Sequence, residues 1–147
     1  MDRAGTRHSP FVEYIGARRE EMGEGFARLS ITIGPQHTNP NGVMHGGVVT
    51  AMMDSAIGGA LGALRGGDAR QRPHATIEMN TSFLAAARPG DEVVVEGRVI
   101  QLGRTVAFAE AEARRRGDGA LIARGRLTFA IASPRTPRPA HGEALEP

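Results

Sequence analysis

The chain has 147 residues, the length of one ordinary domain, and its 40% hydrophobic content is enough for a core of its own. Cysteine is absent, which excludes disulfides, thiolate metal sites and a cysteine nucleophile. The net charge of +2 includes 18 basic residues, all of them arginine and scattered among few aromatics, a pattern that disfavours nucleic-acid binding.

The two ends of the chain differ in composition from its middle. Residues 1–9 are polar and contain no apolar signal core, so we expect a disordered start and a cytoplasmic protein that does not bind a membrane. Residues 133–147 are rich in proline and are expected to form a disordered tail. One domain is therefore predicted over residues 10–132.

The first half of this domain is predicted to end in one long helix. A short helix or turn is expected at 10–15, a weak strand at 16–22, and a clearer strand at 26–33, where apolar and polar residues alternate. A loop rich in glycine, proline and asparagine follows at 34–42. The next run has no proline and is predicted to be helical from about Gly46 or Gly47 to Leu64 or Arg65, buried on nearly every face.

Four segments with a two-residue period follow the helix, joined by short turns. They cover about 74–84, 91–102, 105–113 and 120–132, the spacing of an antiparallel meander. In the first of them, the residues expected to share one face are Ala75, Ile77, Met79 and Phe83. The pattern predicts an α+β domain in which a curved sheet of five to six strands wraps the helix.

Asp54 is the one carboxylate inside the apolar helix. An ionised carboxylate is costly to bury unless donors surround it, so Asp54 is either a core residue bonded to hydroxyls or part of a site. The start of the helix favours a site. Gly46 and Gly47 place unpaired first-turn amides at the positive end of the helix, where a substrate can approach bare backbone and a carbonyl can be polarised.

The run from Asn39-Pro40-Asn41-Gly42 through His45-Gly46-Gly47 to Asp54 resembles the hotdog-fold acyl-CoA thioesterases. It resembles specifically the phenylacetyl-CoA and 4-hydroxybenzoyl-CoA thioesterase-like (PaaI-like) group, and the resemblance covers about residues 26–132. It implies the hotdog fold, in which a curved antiparallel sheet wraps a long central helix. It also implies hydrolysis of an acyl-CoA thioester to the free acid and CoA, without a cofactor.

The resemblance implies roles for five residues. The catalytic carboxylate of the family falls on Asp54, and its oxyanion-polarising amide falls on Gly46. His45 takes the place of a histidine that buttresses the loop, Asn39 that of an asparagine near the thioester or the attacking water, and Thr76 that of a hydroxyl residue that orients the nucleophile or water. Whether Asp54 acts as general base or as nucleophile stays open.

The spacing of Gly46 and Asp54 bears on assembly. Eight residues of helix span about 12 Å, so one carbonyl cannot lie at about 3 Å from both within one chain. A two-fold axis can bring Gly46 of one copy to Asp54 of another. We therefore expect a homodimer with shared active sites, and the resemblance implies the same and often a tetramer of such dimers.

Contacts to the rest of an acyl-CoA are less defined by the sequence. CoA carries phosphates, for which arginine is the expected partner; Arg104 is the first candidate, followed by Arg88 and Arg124, and solvated surface arginines are at least as expected. Gly47 is expected to admit the substrate to the backbone. The acyl pocket is expected to be lined by Phe83, Met52, Met53, Ile57 and Leu61, with aryl, phenylacetyl and medium-chain acyl groups all open.

Three rival interpretations compete with hydrolysis. A hotdog hydratase or dehydratase would carry histidine-centred motifs that differ from the run described here. A non-catalytic acyl-CoA or aromatic-ligand binding protein is disfavoured because all five polar site positions are occupied, and a purely structural oligomer leaves Asp54 unexplained. No histidine or carboxylate pair has metal-ligand spacing, so no metal is expected.

Overall fold

One long helix and six strands account for most of residues 9–134, the part of the chain that the computed structural model describes. The helices are α1 (Pro10–Tyr14), α2 (Gly46–Arg65) and α3 (Asp68–Gln71), with a 3₁₀ turn at Pro35–His37. The strands are β1 (Arg18–Gly23), β2 (Phe26–Thr32), β3 (His74–Phe83), β4 (Glu92–Leu102), β5 (Val106–Arg115) and β6 (Leu121–Ile131). The expectations for residues 1–8 and 135–147 lie outside the described residues.

The strands form one antiparallel sheet in the order β1-β2-β4-β5-β6-β3. The pairs β1–β2, β4–β5 and β5–β6 are joined directly in sequence, whereas β2 and β4 are neighbours although α2 and β3 lie between them in the chain. β3 therefore occupies the edge of the sheet beside β6, and the predicted meander of four consecutive strands was wrong for β3, because β2 takes the place beside β4. The predicted α+β architecture is confirmed, with six strands.

Small side chains let α2 lie close to the sheet. The face of α2 that meets the sheet is buried and consists of Val49, Met52, Met53, Ala56, Ile57, Ala60 and Leu61. Opposite it, the alanines at 107, 109, 111 and 113 are at most 2% exposed. A Cβ added to Gly97 on β4 would lie 2.9 Å from the Ile57 side chain and 3.2 Å from its backbone nitrogen. Helix and strand thus touch nearly backbone to backbone.

The expectation that α2 is buried on nearly every face was wrong. The side turned away from the sheet is half-buried and carries Asp54, Ser55, Gly58, Gly59 and Gly62. These residues line a groove between α2, the α1–β1 region and the start of β3. The helix is long and apolar enough to cross a membrane by length and composition, as core helices often are, but here the sheet packs along one side of it.

A β-bulge in β3 overturns the predicted inward face of that strand. The register against β6 shifts between Thr76 and Glu78, so Ile77 is an extra residue and is 63% exposed. Ala75 and Phe83 are also exposed, whereas Thr76 and Met79 are half-buried. An unbroken two-residue alternation cannot anticipate a bulge, which inserts one residue without a partner. The bulge allows both Thr76 and Met79 to face inward.

Replacing Gly97 with alanine is expected to lower the free energy of unfolding by about 1–3 kcal/mol. The added methyl would press on the backbone of Ile57, which cannot rotate away as a side chain can. Gly117→Ala is the matched control, because a Cβ there meets no atom within 4 Å. Denaturant unfolding followed by circular dichroism measures both. Equal stability of the two variants would show that α2 and β4 have room to separate.

Candidate active site

Asp54 and Thr76 meet on the open side of α2. Thr76 Oγ1 donates a hydrogen bond to Asp54 Oδ1, although the two residues are 22 positions apart in sequence. Both side chains are half-buried. The hydroxyl orients the carboxylate, and because a carboxylate has two oxygens and about four lone pairs it retains acceptor capacity for water or substrate. The structure thus brings together two of the five residues predicted to carry the chemistry.

A groove of about 1210 Å³ runs beside this pair. The small residues Gly58, Gly59 and Gly62 of α2 line one part of it, and apolar side chains such as Met22 and Phe129 line another. The predicted pocket lining was wrong for four residues: Met52, Met53, Ile57 and Leu61 are fully buried in the core. They occupy the face of α2 that meets the sheet, and a sequence that is apolar all round does not reveal which face that is.

Among the first three amides of α2, only that of Gly46 lacks a hydrogen-bond partner within the described residues. Gly47 N–H donates to Nδ1 of His45 at 2.8 Å, and Val48 N–H donates to the carbonyl of His45 at 3.0 Å. Gly46 N–H has no hydrogen-bond partner within residues 9–134. It lies at the positive end of the helix, where it can donate to a carbonyl that gains negative charge. His45 caps the helix, and its buttressing role stays a prediction.

His37 braces the loop that leads into α2. Its side chain is buried; Nδ1 accepts from Gly34 N–H at 2.9 Å, and Nε2–H donates to the carbonyl of Ile15 at 2.8 Å. Its own carbonyl accepts from His45 N–H at 2.8 Å. In the sequence, the signal for this role is the place of His37 in a loop rich in glycine and proline.

Asn39 shapes the same loop. Its Oδ1 accepts from Asn41 N–H at 2.9 Å, and its backbone N–H donates to the carbonyl of Val43 at 2.9 Å. Gly42, which closes this turn with a φ of 70°, donates its N–H to the Asn39 carbonyl. An Asx turn of this kind holds the loop before α2. A contact between Asn39 and a thioester stays a prediction.

Phe83 covers the start of α2. A Cβ added to Gly46 would lie 3.0 Å from the ring of Phe83, and the Phe83 side chain is 58% exposed. β3 therefore contacts α2 at both ends of the candidate site, through Thr76 at Asp54 and through Phe83 at Gly46. Gly47 is exposed at the start of the helix.

The three arginines proposed from the sequence have different surroundings. Arg124 forms an ion pair with Glu112, with Nε donating to Oε1 at 2.9 Å. Arg104 and Arg88 are exposed, and within the described residues neither guanidinium has a hydrogen bond or ion pair. The backbone N–H of Arg88 donates to Asp91 Oδ2 at 2.8 Å, which closes the turn before β4. Phosphate binding by any of the three stays a prediction.

His74 is the neighbour of Asp54 that sequence reasoning missed. Its Nε2–H donates to the carbonyl of Gly58, and its Nδ1 accepts from Nη1 of Arg65, each at 3.0 Å. Burial lowers the pKa of His74, and the Arg65 cation acts in the same direction; the bond to Gly58 and the Asp54 carboxylate oppose both. A pKa below its usual value keeps the ring neutral at neutral pH.

Metal binding finds no support in the described part of the chain. No group of three or more histidine, aspartate or glutamate side chains within residues 9–134 is arranged to hold an ion. The chemistry available at Asp54 within one chain is that of a carboxylate and a hydroxyl. The expected absence of a metal stays a prediction.

Comparison with known proteins places these features in a family. Residues 41–122 match the model of the thioesterase superfamily. The chain belongs to the thioesterase superfamily. Mouse acyl-coenzyme A thioesterase 13 is 34% identical over 93 residues, which cover 63% of this chain and 64% of the mouse protein. The chain thus spans slightly less than two thirds of the length of this relative.

Solved structures agree with the hotdog fold of this superfamily. A conserved protein of Pseudomonas aeruginosa has a TM-score of 0.78 and 33% identity, with 89% of this chain and 99% of that chain covered. The PaaI protein from the phenylacetic acid degradation operon of E. coli has a TM-score of 0.77 with 86% and 87% covered; at 19% identity this likeness shows the fold alone. The predicted hotdog fold is confirmed.

Replacing His37 with leucine is expected to lower the free energy of unfolding by about 2–4 kcal/mol, because it leaves the Gly34 N–H and the Ile15 carbonyl without their partner. His45→Leu is the matched control from the same loop. It removes one exposed cap bond and should cost about 1 kcal/mol. Thermal unfolding of both variants tests the comparison, and a larger loss for His45→Leu would contradict the bracing role of His37.

Proposed function

We propose that this chain hydrolyses acyl-CoA thioesters to the free acid and CoA, with Asp54 as general base or nucleophile and Gly46 N–H as oxyanion donor. The observation that carries the proposal is the Asp54–Thr76 pair beside an open groove in a member of the thioesterase superfamily. The name of the mouse relative, an acyl-coenzyme A thioesterase, supports CoA as the carrier.

The first step is polarisation of the thioester carbonyl. Gly46 N–H has no partner among residues 9–134 and lies at the positive end of α2, so it donates to the carbonyl oxygen without giving up another bond. The donation strengthens as the oxygen gains negative charge in the tetrahedral intermediate. The absence of a side chain at Gly46 and Gly47 leaves room for the substrate at the backbone.

Asp54 supplies the nucleophile in one of two ways. As a general base it takes a proton from water, whose oxygen attacks the carbonyl carbon; the intermediate then expels the CoA thiolate, which receives that proton. As a nucleophile it attacks the carbon itself, expels the thiolate and leaves a mixed anhydride that water hydrolyses. Thr76 orients the carboxylate in both. Rapid quench and mass spectrometry of the protein distinguish them, since only the second attaches the acyl group.

The substrate is proposed to bind between two copies of the chain. Gly46 and Asp54 are separated by about 12 Å of helix, too far for one carbonyl to meet both within one chain. The open side of α2 is built from residues with small side chains around Asp54, which supports close approach of a second α2. Arg104 and Arg88, exposed and unpaired among the described residues, are the proposed partners of the CoA phosphates.

A tetramer of such dimers is proposed on the outer face of the sheet. Ile100 and Phe108 are 59% and 46% exposed there and line a shared depression. Exposed apolar side chains of this size on a sheet face support contact with a second copy. Light scattering of the purified protein measures the assembly.

Asp54→Asn is expected to reduce acyl-CoA hydrolysis by about 100-fold or more, because asparagine can neither take a proton from water nor form an anhydride. Glu110→Gln is the matched control, since it neutralises an exposed carboxylate on the outer face of β5. A thiol-release assay over aryl, phenylacetyl and medium-chain acyl-CoAs measures both variants. No release by the unmodified protein from any thioester would exclude hydrolysis, and full release by Asp54→Asn would exclude the assigned role.

Mixing two inactive variants is expected to restore activity if sites are shared. Gly46→Pro removes the amide donor while suiting the first position of a helix, and the extended His45 before it (φ −64°, ψ 135°) tolerates proline. Co-expressed with Asp54→Asn, it should give about one quarter of normal activity, since about half the dimers are mixed and each has one complete site of two. No recovery in mixed dimers would place both groups of a site in one chain.

A further inference from the structure

β3 is attached to α2 at two successive inward positions. His74 donates through Nε2–H to the carbonyl of Gly58, and Thr76 donates to the carboxylate of Asp54. Two residues of strand advance about 6.6 Å, and the four residues from Asp54 to Gly58 advance about 6 Å along a helix. The two attachments therefore match in spacing, with strand and helix running in opposite directions.

The buried Arg65 determines which proton His74 carries. The Arg65 side chain is 2% exposed; Nε and Nη2 donate to Asp68 Oδ2 at 3.2 and 2.8 Å, and Nη2 also donates to the Arg72 carbonyl at 2.6 Å. Its Nη1 faces Nδ1 of His74 at 3.0 Å. Because a guanidinium only donates, Nδ1 must be the acceptor and Nε2 must hold the proton. That proton is the one that reaches the Gly58 carbonyl.

The attachment of His74 to α2 matters for the candidate site because it lies two residues before Thr76 on β3. β3 is an edge strand, bonded to β6 on one side and to no other strand among the described residues. The bulge at Ile77 directly follows Thr76, so the regular pairing of β3 with β6 is interrupted immediately after Thr76. On the near side, His74 and Ala75 pair with β6, and the ring of His74, which meets Phe129 edge-on at 5.7 Å, attaches the strand to α2.

We propose that His74 is a positioning residue: held by Arg65 as the Nε2–H form, it fixes β3 on α2 so that the Thr76 hydroxyl meets Asp54. It acts through Thr76 and touches no reacting atom. The catalytic part of this proposal rests on the proposed thioesterase function, whereas the proton placement on His74 does not.

A double-mutant cycle tests the route through Thr76. His74→Phe keeps an aromatic ring against Phe129 but removes both ring nitrogens, and it should lower kcat about tenfold with KM changed less than about twofold. In a Thr76→Val background the same change should have little further effect, because the hydroxyl it positions is gone. His74→Gln, which can still donate to Gly58, should recover most of kcat. An equal loss in both backgrounds, or no loss, would overturn the proposal.

The protonation of His74 is measured independently of turnover. Nitrogen NMR of the full chain labelled in histidine reports which ring nitrogen carries hydrogen, and the signal missing from His74→Gln identifies His74. We expect the Nε2–H form alone at neutral pH. A ring protonated on Nδ1, or a mixture of the two forms, would contradict the proposal that Arg65 holds His74 in the Nε2–H form. If the unmodified protein releases no thiol, the proposed thioesterase function is wrong. The NMR measurement still decides whether Arg65 holds His74 in the Nε2–H form.

Discussion

The rest of the structure depends on how closely α2 lies on the sheet. Gly97 has no side chain and the alanines of β5 have only methyl groups, so little separates the helix from the sheet. Ile57 therefore lies almost against the backbone of β4. Close-packed interiors allow little rotation of an element once its neighbours are in place. That contact sets the rotation of α2 about its own axis. Asp54 then points away from the sheet, and the first-turn amides of the helix emerge beside Phe83.

The long helix and the meander of β4, β5 and β6 could be predicted from the sequence because their signals are local. A proline-free run followed by glycines predicts the helix and its ends to within a residue, and four alternating segments predict four strands. The place of β3 beside β6 could not be predicted, because it depends on pairing between segments far apart in the chain. Asp54 stood out because a charge is expensive in an apolar helix. The alternation on β5 puts its alanines on one face, and in the structure that face is buried. Each of these inferences needs only neighbours in the chain.

What could not be predicted depends on contacts distant in sequence. Nothing near Met52 or Leu61 shows that they face the sheet and not the groove. The bulge at Ile77 follows from pairing with β6, so it leaves no mark on the alternation of β3 alone. His37 and His74 each look like an isolated histidine until Ile15 and Arg65 are brought beside them. Their roles are set by partners 22 and 9 residues away.

The bulge in β3 also decides where the length of this strand can change. Without Ile77, the strand would read inward at His74, Thr76, Met79 and Thr81 with no break in alternation, since Thr76 and Glu78 already oppose neighbouring residues of β6. Ile77 therefore behaves as an inserted residue that leaves unchanged which residues before and after it face inward. Adding or removing a residue anywhere else in β3 would exchange the two faces beyond that point. The length of β3 can therefore change at Ile77 without exchanging the two faces of the strand.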